Sequence, residues 1–156
     1  MILAAFILIL STALFFSYCQ AICQRILRRE FSQEFFQTIV SANRLEFPSI
    51  RRAIEEFAVA DEYPRIRVML KGDYAALTYL LKNAARTNRR YSAEERVLLV
   101  YCRLLFMSLV LHHLLKLAEE PTILKMTAVL QYFANVVGER VHAFSFASLD
   151  PLGHLS

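Results

Sequence analysis

The chain has 156 residues, a formal net charge of +4 and a hydrophobic fraction of 56%. Its three cysteines are an odd number, which excludes a disulfide framework of the kind that holds small secreted domains together. Because only three glycines and four prolines interrupt it, the composition favours one mostly helical domain.

The N-terminal segment is apolar without interruption. Residues 1–19 contain no charged side chain, and as a helix rising about 1.5 Å per residue they span close to 30 Å, the thickness of a bilayer core. A cleaved secretory signal would carry basic residues before its apolar core. A lipoprotein signal would carry small residues before its cysteine, whereas here Tyr18 precedes Cys19. We therefore predict a retained transmembrane anchor over residues 1–19.

The charges that flank the anchor predict its orientation. Arg25, Arg28 and Arg29 follow the apolar segment, and no basic side chain precedes it. Because Lys and Arg stay on the cytoplasmic side of a membrane, we expect a single-pass protein with its N-terminus outside. The remaining residues would then form a cytoplasmic domain.

Apolar residues continue at helical spacing beyond the anchor. Phe31, Phe35 and Phe36 belong to a series with three- and four-residue intervals, which predicts an amphipathic juxtamembrane helix over residues 20–47. Since no glycine or proline precedes Pro48, we expect this helix to continue the anchor without a break.

Residues 48–141 are predicted to form a small all-α bundle. Gly72 is typical of a helix stop, and Asp73 is typical of the N-cap of the next helix. Ser92 and Glu95 have the spacing of a capping box, in which each side chain accepts a hydrogen bond from the other residue's backbone N–H. That pair predicts the start of a further helix.

The helix that follows this capping box is apolar on every side from Val97 to Leu117. Such a helix is either the centre of a bundle or a second membrane span. Arg103 lies within it, and a central arginine opposes membrane insertion by about 2.5 to 3.5 kcal/mol. We therefore expect a buried core helix, in which the buried charge of Arg103 pairs with a group on another helix or another chain.

The last predicted helix follows Pro121. Thr122 is placed to cap it, and apolar residues recur at helical spacing to about Val141. Residues 142–156 contain a proline and a glycine and show little periodicity, which predicts an irregular C-terminal tail.

The chemistry-bearing residues do not form a recognisable catalytic or metal site. His112 and His113 are adjacent and point about 100° apart on a helix, whereas zinc sites on helices use i, i+4 spacing. Cys19 and Cys23 have that spacing and could bind a metal or cofactor between protomers or accept a lipid, but thiol pairs of this kind are more commonly small apolar packing residues. The chain contains no glycine-rich phosphate loop, nucleophile elbow or His-Glu metal motif. We expect no enzyme activity, no metal and no cofactor.

The densest positive charge lies between Arg65 and Arg90, where seven basic residues face one acidic residue. A solvated surface would explain them. Beneath a bilayer, each could instead contribute about 1 kcal/mol to contact with anionic headgroups. RNA would be attracted in the same way, but no nucleic-acid motif accompanies the charges.

Together these features predict an interaction protein. The first hypothesis is a non-catalytic accessory or assembly subunit that docks onto a larger membrane protein complex. The alternative is a membrane-tethered binding module that holds RNA or lipid headgroups through its basic residues. A third possibility is a protein with two membrane spans. The residues expected to bind the partner form an aromatic set and a basic set: Phe31, Phe35 and Phe36, and Arg86, Arg89 and Arg90.

Overall fold

The computed structural model describes residues 1–31, 35–56, 63–84 and 91–149. All regular secondary structure in these ranges is helical, which confirms the predicted all-α class for them. The helices are α1 (Ile2–Leu27), α2 (Phe36–Asn43), α3 (Phe47–Glu56), α4 (Tyr63–Asn83), α5 (Ala93–Leu114) and α6 (Glu120–Leu149).

Helix α6 is the centre of the bundle, because every other described helix packs against it. Met126, Leu130, Phe133 and Val137 are fully buried at three- and four-residue intervals along α6. Burial of each side chain of this size stabilises the fold by about 1.5 to 3 kcal/mol. The apolar residues that recur at helical spacing in the last predicted helix are therefore residues of the core.

Contacts at the two ends of α5 show its direction relative to α4 and α6. At its N-terminal end, Glu95 pairs with Arg140 of α6, and Arg140 also donates to the carbonyl oxygen of Leu81 on α4 at 3.1 Å. At its C-terminal end, His113 stacks on Tyr63 of α4 with ring centroids 4.0 Å apart. Helix α5 therefore runs antiparallel to both α4 and α6.

The predicted continuous helix from the anchor through residues 20–47 is wrong. Helix α1 ends at Leu27, and α2 begins separately at Phe36. The Phe36 N–H donates to Asn135 Oδ1 of α6 at 2.9 Å, and Phe31 packs edge-on against Tyr132 with ring centroids 5.4 Å apart. These contacts with α6 satisfy the start of α2 and hold Phe31 against the bundle, so the break needs neither glycine nor proline.

Helix α4 continues through Gly72, so the predicted stop is wrong. Asp73 does not start a new helix but lies buried on α4, where its Oδ2 accepts hydrogen bonds from two backbone N–H groups of the α3 start. The donors are Glu46 at 2.8 Å and Phe47 at 2.6 Å. Asp73 thus caps α3 across the bundle, supplying an acceptor that the start of a helix lacks.

The predicted capping box is confirmed at the start of α5. Ser92 Oγ accepts the Glu95 N–H at 3.2 Å, and Glu95 Oε2 accepts the Ser92 N–H at 3.1 Å. Both partners lie within one helical turn, which is why the sequence pattern alone identifies this boundary.

The C-terminal part of the chain is more helical than predicted. Helix α6 begins before Thr122, which is therefore not its cap, and residues 142–149 of the expected irregular tail are helical. Residues 150–156 of that predicted tail lie outside the described residues.

Two helical glycines have opposite surroundings, and we expect opposite effects when each is replaced by alanine. A Cβ at Gly138 of α6 would clash with Phe35 Cβ, whereas a Cβ at Gly72 meets nothing within 4 Å. Gly138→Ala should destabilise the fold by about 1 to 3 kcal/mol, because Phe35 and α2 must move away. Gly72→Ala should stabilise it by up to about 1 kcal/mol, because alanine is the better helix former.

Thermal unfolding of the full chain in mild detergent, followed by far-UV circular dichroism, measures both effects. A fall in midpoint for Gly72→Ala, or a rise for Gly138→Ala, would contradict this account of the two positions.

Candidate interaction surface

Most of α1 projects from the bundle. By length and composition α1 is a candidate membrane span, and none of its most apolar stretch is buried inside the structure. Phe6, Phe15 and Tyr18 are each exposed over more than half of their surface. An apolar surface of this extent is far larger than the isolated exposed side chains of an ordinary soluble domain.

Only the last turns of α1 pack on the bundle. Cys19 and Cys23 line an apolar groove of about 300 Å³ together with Leu104 of α5. Just beyond the end of α1, the Arg29 guanidinium lies 3.9 Å from the carboxylate of Glu94. Because earlier residues of α1 meet later residues of α5, the two helices are antiparallel. The projecting part of α1 therefore points toward the end of the bundle where α5 stops.

Helix α5 buries one face and exposes an apolar stripe on the opposite face. Leu98, Cys102, Leu105 and Leu109 are buried against the bundle. The members of the α5 stripe recur at intervals of three and four residues and are exposed or half-buried: Val97, Val100, Leu104, Met107, Leu111 and Leu114. The expectation of a buried core helix thus holds for one face only. By length and composition α5 is also a candidate membrane span.

The α5 stripe has a regular spacing in the sequence, but that spacing does not distinguish it from the buried face. Both faces are apolar, so periodicity predicts a helix without showing which side is covered. The distinction requires knowing where α4 and α6 pack.

Arg103 is at the surface of α5, so the expectation of a buried charge is corrected. Its side chain is exposed and donates a hydrogen bond to the Tyr74 hydroxyl of α4. Burial raises the pKa of Tyr74, and the hydrogen bond from Arg103 opposes that rise. The guanidinium lies between the stripe and the α4 contact, where water reaches it and no buried partner is needed.

The aromatic set is half-buried against the chain's own α6. Phe31 packs on Tyr132, and the Phe35 ring lies 5.1 Å from that of His142 between centroids. Phe36 packs against the buried core. These rings therefore join α6 to the segment after α1 and leave only part of their surface for a partner.

The basic set, Arg86, Arg89 and Arg90, lies outside the described residues. Elsewhere in the basic region, Arg67 and Lys71 are exposed on α4. One helical turn separates these two residues, so they form part of a solvated cationic surface.

The two histidines make separate contacts at the end of α5. His112 Nδ1 lies 3.1 Å from Thr122 Oγ1, and His113 Nδ1 lies 2.9 Å from Glu119 Oε1. In the part of the chain that the structure describes, no three His, Cys, Asp or Glu residues could hold a metal together.

The Tyr63 hydroxyl is the one buried side-chain polar atom among the described residues that has no hydrogen-bond partner. Burial raises the pKa of Tyr63.

No protein-family model matches the chain, and comparisons with curated proteins and with solved structures find no similar protein. The functional proposal therefore depends on the surface of this chain alone. Its main features are the projecting α1 and the adjoining α5 stripe.

Proposed function

We propose that this protein is a non-catalytic, membrane-anchored accessory or assembly subunit that docks onto a larger membrane protein complex. The observation that supports this proposal is the pair of exposed apolar helical surfaces, α1 and the α5 stripe, which adjoin at the groove beside Cys19 and Cys23. An anchor alone would account for α1. The stripe is a second apolar surface, and surfaces of this kind mark contacts with proteins or membranes.

The first half of the α5 stripe is the proposed contact with the partner. Val97, Val100 and Leu104 follow one another at the spacing that helices use to pack on each other. They line the same groove as the end of α1, so a helix of a membrane partner could contact both elements. The half-buried aromatic set would then support this surface from α6 and add contacts at its margin.

Co-purification of the tagged full chain in mild detergent tests this function. We expect larger membrane subunits to accompany it in fixed stoichiometry. Val100→Asp places a charge on the stripe and should reduce their recovery at least about tenfold, equivalent to roughly 1.4 kcal/mol of binding free energy. Tyr79→Asp, at an exposed position on α4, is the matched control and should leave recovery unchanged.

Two outcomes would contradict the proposal. The first is a monodisperse monomer without companions, and the second is an equal loss of companions in both variants. The alternative function, a membrane-tethered module for RNA or lipid headgroups, is favoured by the exposed basic residues of α4. It predicts binding that weakens steeply as salt increases, which a mainly apolar contact does not.

A further inference from the structure

The C-terminal end of α5 and the turn that follows it form an exposed apolar tip. Leu111, Leu114, Leu115 and Leu117 are each exposed over more than half of their surface. We call residues 111–117 the α5–α6 tip. Described side chains leave the greater part of each leucine uncovered, although the tip joins α5 and α6 within the bundle.

The direction of α1 relates the tip to the anchor. Leu104 and Cys19 line one groove, and α5 continues beyond it for ten more residues to Leu114. Phe15 and Met107 are both exposed, so the two helices separate past the groove and the tip lies to the side of α1, at a shallower depth than its apolar centre. Because α1 is antiparallel to α5, the projecting part of α1 extends toward the same end. A bilayer that surrounds α1 would therefore lie on the side of the bundle where the tip is exposed.

We propose that the α5–α6 tip lies in the interface of the bilayer that α1 spans. This inference rests on the membrane anchoring in the proposed function and adds a second contact between the bundle and the lipid. The tip would insert its leucines among headgroups and upper acyl chains, as interfacial apolar segments do. It would hold the bundle against the membrane and restrict rotation about the α1 axis.

Lipid suits the tip better than a protein groove does. Leu115 and Leu117 follow the end of the helix, so the leucines are spread around a turn instead of along one helical face. Lys116 lies between them with a left-handed backbone φ of 53°, and its exposed side chain can extend toward headgroups. His113 is also exposed at this end.

The same geometry opposes a second membrane span formed by α5. Leu98, Leu105 and Leu109 are buried against the bundle along the other face of α5, and a crossing helix would have to leave those contacts. The tip can enter the interface while the rest of α5 stays in the bundle.

Tryptophan substitution tests this inference, because the chain contains no tryptophan. Three variants of the full chain are reconstituted separately into phosphatidylcholine vesicles. Leu115→Trp reports on the tip and Phe6→Trp on the anchor. Tyr79→Trp reports on an exposed position near the opposite end of the bundle. Quenching of each fluorophore is measured with brominated lipid and with iodide present on both sides.

We expect brominated lipid to quench Phe6→Trp and Leu115→Trp at least twofold more strongly than Tyr79→Trp, with the reverse order for iodide. Lipid quenching of Phe6→Trp without quenching of Leu115→Trp would overturn this inference and leave the anchor intact. No lipid quenching at either position would overturn the anchor as well. Shielding of Leu115→Trp from both quenchers would show that a second copy covers the tip, which also overturns the proposal.

Discussion

Glu95→Ala is expected to destabilise the fold by about 3 to 5 kcal/mol, among the largest effects in the chain. The Glu95 side chain is 4% exposed and pairs with Arg140, whose side chain is 20% exposed. Removing the carboxylate leaves a largely buried guanidinium with the Leu81 carbonyl oxygen as its remaining described acceptor. The variant also removes the acceptor for the Ser92 N–H and so breaks the capping box.

The ion pair between Arg51 and Glu55 is the matched control. Its atoms are 2.9 Å apart, but both side chains are about half exposed, so Glu55→Ala should cost no more than about 0.5 kcal/mol. Urea unfolding of the full chain in mild detergent gives both values. Replacing the buried pair together, as Glu95→Leu with Arg140→Met, should recover much of the lost stability, because no unpaired charge remains. Equal small losses for Glu95→Ala and Glu55→Ala would contradict this interpretation.

Asp73→Ala is expected to destabilise the fold by about 2 to 4 kcal/mol. The substitution leaves the N–H groups of Glu46 and Phe47 without their acceptor at the start of α3. The Phe47 hydrogen bond is buried, and an unsatisfied buried group costs about 1 to 3 kcal/mol, whereas the Glu46 hydrogen bond is only partly buried and its loss costs less. Asp73→Asn keeps an acceptor oxygen of the same reach and should lie within about 1 kcal/mol of the natural chain. The same unfolding measurement separates the two variants, and similar losses in both would show that capping is not the role of Asp73.

The pH dependence of this effect has a definite sign. Burial raises the pKa of Asp73 above its ordinary value, and the hydrogen bonds from Phe47 and Glu46 oppose part of the rise. Because both N–H groups donate to Oδ2, Oδ1 can carry a proton without loss of the cap. The stabilising contribution of the protonated group is therefore complete below the pKa of the unfolded chain and is lost as pH rises through the folded pKa.

Comparison with Asp73→Asn isolates this dependence, because asparagine does not titrate. The stability of the natural chain relative to Asp73→Asn should fall as pH is raised through the acidic range. A relative stability that increases over the same range would contradict the direction of the shift.

The features that sequence predicts correctly are those set by neighbouring residues. The capping box of Ser92 and Glu95 spans three residues, and the buried spacing from Met126 to Val137 repeats within α6. Both can be recognised without knowing what lies across the bundle. The all-α class follows from many signals of this kind.

The features that sequence misses depend on distant contacts. Asp73 caps a helix that starts 26 residues earlier, and Gly138 remains helical where Phe35 packs closely on it. Neither partner is visible in a local window. The candidate site is missed for the same reason, since the α5 stripe differs from the buried face of α5 only through the positions of α4 and α6. The sequence also does not show that Tyr132 of α6 covers part of the ring of Phe31, a residue expected to bind the partner.

Direct contacts fix the last turns of α1 and the residues just after it to the bundle. Cys23 is 1% exposed, and Arg29 lies within 3.5 Å of Glu139 and 3.9 Å of Glu94. The rotation of α1 relative to the bundle is therefore fixed. One inserted residue would rotate the helix by about 100° and turn the buried thiol of Cys23 outward. A change in the tilt of α1 would therefore move the bundle with it, and in the membrane-anchored subunit proposed above bilayer thickness would set the angle at which the bundle meets a partner.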